Sequence, residues 1–214
     1  MKVDIARHIG AVSRKLESRM HEGRMARVAL ATRSYDTTIE DAWDAITSAE
    51  RIPRWFLPIT GDLRLGGRYQ LQGNAGGTVT RCEPPRLLAL TWEFGGETSW
   101  VTVTLAAEGA GTRLELEHMA HVKDEFWDQY GPGAVGVGWD GALLGLALHL
   151  ASGSAFDRKE AETWMTSDEG KAFYRACSED WCRASIAAGT DPAAAKAAAA
   201  RTTAFYTGES LPEK

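Results

Sequence analysis

The sequence predicts an α+β fold in which a curved antiparallel sheet wraps around a long C-terminal helix, with further helices at both ends. Two observations carry this. Between Ile59 and His121 short runs of period-two alternation are broken by glycine and proline, the pattern of a meander. The segment Trp139 to Ser152 then sets Trp139, Leu143, Leu146 and Leu150 at helical spacing. A sheet with one apolar face must bury it, and this is the long apolar helix available to do so.

Taken in order, residues 3 to 22 place Ile5, Ile9, Val12, Leu16 and Met20 at steps of three and four, which predicts an amphipathic leader helix ended by Gly23. Arg27 to Tyr35 alternates and reads as the first strand. Thr37 and Thr38 supply a capping hydroxyl ahead of Glu40 and Asp41, so Ile39, Trp43 and Ile46 fall on a short helix. Pro53 marks a second short helix before Trp55-Phe56. Six strands follow: Ile59 to Leu65, Arg68 to Gln72, Gly77 to Glu83, Leu87 to Phe94, Ser99 to Ala106 and Thr112 to His121. Their turns fall at Gly66-Gly67, Asn74 to Gly76, Pro84-Pro85, Gly95-Gly96 and Gly109 to Gly111. The glycine-rich passage Gly131 to Gly138 reads as a loop at a cavity mouth. Beyond the long helix, Phe173, Cys177, Trp181 and Ala184 share one helical face, and Asp191-Pro192 opens an alanine-rich helix that closes near Tyr206 and Gly208. The arrangement is a helix grip. It divides into a leader helix (1–23), a grip domain (24–154) and a helical C-terminal extension (155–214), whose last residues from Glu209 have the composition of a frayed end.

Composition narrows the function. A length of 214 residues with 44% hydrophobic content suits one domain with extensions. The net charge of -5 comes from 24 basic and 29 acidic side chains with no basic stripe, which argues against nucleic acid as a partner. The longest apolar stretch, Ala142 to Ala151, is shorter than the ~20 residues of a membrane span, and the first residues lack a secretory pattern. A cytoplasmic location is expected. Cys82, Cys177 and Cys182 form no Cys-x-x-Cys pair and read as structural thiols.

Several segments resemble a known family. They are Ala42 to Thr47, Trp55-Phe56, Asp62 to Tyr69, Glu83-Pro84-Pro85-Arg86-Leu87, Gly111 to His118, and Gly138-Trp139 before Leu143-Leu144. In this order they resemble bacterial START-like (SRPBCC) proteins similar to the activator of HSP-90 ATPase homologue, related in fold to the birch-pollen allergen. The resemblance covers residues 26 to 152 and implies a helix grip around an internal cavity. Proteins of that superfamily include lipid and polyketide binders, cyclases, cochaperone-like modules and self-resistance proteins of antibiotic producers, so the fold alone does not choose among these roles.

The candidate site is an apolar cavity lined by Trp55, Tyr69, Leu71, Trp92, His118, Trp139 and Leu143, suited to a hydrophobic or polycyclic small molecule. Trp92 shares parity with Leu88, Leu90 and Phe94, and His118 shares it with Leu114 and Leu116, so both are expected to point inward. Trp100, Glu115 and Glu117 have the opposite parity. His118 and His121 are three apart on a strand and cannot share a metal, and neither a cofactor nor a metal is expected. A histidine inside an apolar cavity is more often a hydrogen-bonded core residue than a catalyst. The alternatives to ligand binding are a polyketide-cyclase-like enzyme using His118, and a self-resistance or cochaperone-like protein. The terminal helices are read as lid, homodimer contact or strut.

Overall fold

The computed structural model describes residues 3–155 and 157–210. Among them one antiparallel sheet of eight strands runs in the order β1-β2-β8-β7-β6-β5-β4-β3. The strands are β1 (Val12–His21), β2 (Arg24–Tyr35), β3 (Ile59–Gly61), β4 (Arg68–Leu71), β5 (Gly76–Glu83), β6 (Leu87–Phe94), β7 (Glu97–Glu108) and β8 (Gly111–Ala120). The helices are α1 (Ile5–Gly10), α2 (Ile39–Thr47), α3 (Asp124–Tyr130), α4 (Gly133–Ser152), α5 (Arg158–Thr166), α6 (Asp168–Ala187) and α7 (Pro192–Thr207), with a single 3-10 turn at Ile52–Arg54. All six strands expected between Ile59 and His121 form, and the chain is α+β with a long helix after the sheet.

The leader helix is corrected. Only α1 is helical there, and residues 12–21 form a strand instead. Gly10 is a poor helix residue. Glu22 and Gly23 then both take positive φ, 47° and 74°, the geometry of the two-residue type I′ turn that matches strand twist. A hairpin therefore replaces the amphipathic helix. The glycine-rich passage is corrected as well, because α4 already begins at Gly133. A Cβ on Gly136 would lie 2.2 Å from the Trp181 indole, and one on Gly133 would lie 2.9 Å from Thr202, so these glycines serve close packing rather than a loop.

Contacts divide the chain into two compact units, with β2 and α4 each contributing residues to both. The first comprises residues 1–31, 121–141 and 157–214. Here the expected C-terminal stripe is buried: Phe173, Cys177, Trp181 and Ala184 on α6 lie inside, with α6 packed on β1, α1, α5 and α7. Burying one large aromatic side chain contributes roughly 1.5–3 kcal/mol, enough to hold such a helix down. Asp191 accepts from the backbone of Ala193 and Ala194, Pro192 starts α7, and Gly208 closes it at φ 68°. Of the frayed end, residues 211–214 lie outside the described residues.

This unit is held by a buried ion network. Arg14 Nε lies 3.1 Å from both oxygens of Asp140, its Nη1 lies 2.6 Å from Asp180 Oδ2, and Trp181 Nε1 donates to Asp140 Oδ2 at 2.9 Å. The Arg14 and Asp140 side chains are only 3% and 1% exposed, so the ions are compensated by one another and not by water. Burial raises the Asp140 carboxyl above its ordinary range, against the lowering pull of Arg14 and the Trp181 N–H.

The second unit comprises residues 32–120 and 142–156. Thr38 caps α2, accepting from Asp41 N, and α2 packs on β7 and β8. Leu143, Leu144 and Leu146 of α4 are buried, and the Tyr35 hydroxyl donates to the Leu143 carbonyl at 3.2 Å. By length and composition α4 is apolar enough to cross a membrane, and Leu143, Leu144 and Leu146 on it are buried inside the protein.

Candidate functional site

The inner face of the sheet unit follows from strand register, since directly opposed residues of an antiparallel pair share a face. Leu88 and Leu90 of β6 oppose Val103 and Val101 of β7, which in turn oppose Leu116 and His118 of β8. Leu105 opposes Leu114, and Trp92 opposes Ser99. The result is an apolar wall that carries one imidazole. Glu115 and Glu117 oppose Thr104 and Thr102 on the other face, where Trp100 opposes Thr91 and Met119.

His118 is 6% exposed, and its ring centroid lies 6.1 Å from that of Trp92. Its Nε2 is 2.8 Å from Ser99 Oγ, and Ser99 Oγ donates onward to the Trp92 carbonyl at 3.2 Å. The serine proton is thereby used, so Nε2 carries the imidazole proton and donates to Ser99. Burial pulls the His118 pKa down to about 4, which keeps the ring neutral at neutral pH. Ser99 is the member of this trio that the sequence reading passed over. Its parity with Val101, Val103 and Leu105 is the signal that points it inward.

The other predicted residues divide by role. Tyr69 and Leu71 are buried on β4. Tyr69 stands opposite Gly77 on β5, where a Cβ would run into the Thr91 carbonyl of β6, and the Tyr69 hydroxyl donates to that same carbonyl at 2.8 Å. That phenol is raised by burial and stays protonated. Trp55 stacks on Phe56 at 5.5 Å and donates through Nε1 to the Ala45 carbonyl at 2.9 Å, an anchor for the segment after α2. Leu143 lies in the sheet unit, whereas Trp139 belongs to the helical one, where it is buried. Direct contact thus joins Trp92, Ser99 and His118. Among the described residues no three His, Cys, Asp or Glu side chains gather as a metal site.

A meandering sheet whose apolar face meets a long helix, with a neutral polar pair set in that face, defines a helix-grip protein of the SRPBCC type. Residues 36–151 match the family described as activator of Hsp90 ATPase homolog 1-like protein, and the chain belongs to that family. No curated protein sequence matches it. Among solved structures, CalU16 from Micromonospora echinospora is 35% identical in its crystal form, with a TM-score of 0.67 over 81% of this chain and 98% of that one. Its solution structure gives a TM-score of 0.70 over 84% and 97%. These shares exceed the span of the family match, so the likeness to CalU16 takes in part of the flanking segments. MLL2253 from Mesorhizobium loti (23% identity, TM-score 0.53, 61% of this chain and 100% of that one) shares the fold. So does DynU16, described as a protein in the dynemicin biosynthetic locus (21%, 0.52, 61% and 50%).

Proposed function

We propose that this protein binds a hydrophobic, fused-ring small molecule against the inner face of its sheet, with Trp92 offering a stacking surface and the His118–Ser99 pair the polar contact. The observation that carries the reading is a neutral, hydrogen-bonded imidazole held beside an indole in an otherwise aliphatic wall. Ligand pockets have this composition: mostly apolar, with a few placed polar groups that fix orientation. Family membership supports the same reading. Catalysis of the cyclase kind is less well supported, because a general acid or base works best with a pKa near the operating pH, and His118 titrates near 4.

Titration of a hydroxyanthraquinone against tryptophan emission tests this. Saturable quenching is expected, with Trp92→Ala and His118→Leu each weakening binding by about tenfold, equivalent to ~1.4 kcal/mol. Absence of a saturable change, or the same affinity in both variants as in the unaltered protein, would overturn the reading.

A further inference from the structure

The helical unit contains a separate pocket of about 400 Å³ between α3, α6 and α7, within the size range of small-molecule sites. Its walls include the rings of Trp127, Tyr130 and Trp181, and its floor is made by alanines of α7, among them Ala194 and Ala198. The space has a structural cause. Arg201 and Thr202 of α7 bond to the last carbonyls of α3, at Asp128, Gln129 and Tyr130, by 2.6–2.9 Å contacts. The two helices are therefore drawn together at that end, while the alanines one and two turns earlier on α7 are too short to fill the gap beside Trp127.

Two rings of the wall are fixed in place. Trp181 is tied through Nε1 to Asp140, and Trp127 is held by Arg27, whose guanidinium lies 4.3 Å from its ring centroid. The residues lining the pocket include no lysine or arginine, and the charged one among them is Asp128, which is exposed. Cys182, also on the wall, has its thiol raised by burial and brings no anion to it. Aromatic faces with a carboxylate favour one kind of occupant: a flat ring bearing a positive charge, which gains from the ring quadrupoles and from Asp128 together.

We infer that this pocket is a second ligand site, separate from the sheet face, which accepts a small aromatic amine. The test uses the full chain with 5-fluorotryptamine as probe, followed by ¹⁹F NMR. A saturable shift is expected, with indole binding more weakly and indole-3-propionate, of like shape but opposite charge, weakest. Ala194→Trp, at an exposed position that plugs the pocket, should weaken the amine by about tenfold. Asp128→Asn should weaken it by about threefold, the scale of an exposed charge pair. Trp92→Ala should leave it unchanged, which separates this site from the sheet face. Melting curves of each variant establish that the fold is kept. No saturable shift, equal binding of the propionate, or binding that survives Ala194→Trp but is lost in Trp92→Ala would each overturn the inference.

Discussion

Two buried polar clusters, the Arg14–Asp140 network of the helical unit and the His118–Ser99 pair of the sheet unit, are built in opposite ways. In the first, charged groups go inside and are matched: Arg14 meets Asp140 and Asp180, and Trp181 completes the carboxylate. In the second, the buried group on the inner face, His118, is stripped of its charge and linked to a serine. The first arrangement ties Arg14 Nε and Nη1 and the Asp140 carboxylate to protein neighbours and so defines structure. The second sets a neutral polar pair in an apolar wall, the composition from which binding faces are made. Burial of polarity alone is therefore no guide to function; the charge state that survives burial is.

Removing Arg14 should expose this difference most strongly. Arg14→Leu leaves Asp140 buried without its cation, and a loss of about 3–5 kcal/mol in unfolding free energy by denaturant titration is expected. A loss under 1 kcal/mol would mean the network is not the strut it resembles. The sheet unit is probed by pH. Burial depresses the folded pKa of His118 to about 4 from the ordinary histidine value of 6.5, so unfolded chains bind the extra proton in between. Its stabilising share is complete above about pH 6.5 and falls as pH drops towards 4, by roughly 3 kcal/mol at ~1.4 kcal/mol per unit. His118→Gln should remove that part of the acid dependence, read as the difference between the two stability curves over this window. Identical curves would show that the imidazole is not desolvated as described.

The smallest effect concerns the hairpin, which belongs to the helical unit. Glu22→Asn replaces a residue strained at positive φ by one that tolerates it, ahead of Gly23, and should raise stability by about 0.5–1 kcal/mol. A lowered melting temperature would argue against the type I′ turn.

The same contrast governs what could be read from sequence. The meander was legible because its turns are written locally, as at Gly95-Gly96 and Gly109, and α7 was legible from Asp191-Pro192 and Gly208. His118 and Trp92 were legible from parity. The N-terminal segment was not, since Ile5, Ile9, Val12, Leu16 and Met20 satisfy a helical period while Val12 to His21 also tolerates a strand. What decides between them is the Glu22-Gly23 turn and the burial of Arg14, whose partners lie 126 and 166 residues away. No local pattern carries that information. Gly136 misled for a related reason, because the partner that requires a glycine there is Trp181 on another helix.

The separation between Arg14 and Asp180 also has a consequence during synthesis. Translation at about 5–20 residues per second delivers Asp180 roughly 8 to 33 seconds after Arg14, given their 166-residue spacing. Over that interval Arg14 lacks Asp180, and for most of it Asp140 as well, while Met20 and Met25 beside it stay outside even in the finished fold at 61% and 59% exposure. The sheet unit from Thr32 onward draws no residue from α6, so all of its chain is made before Asp180.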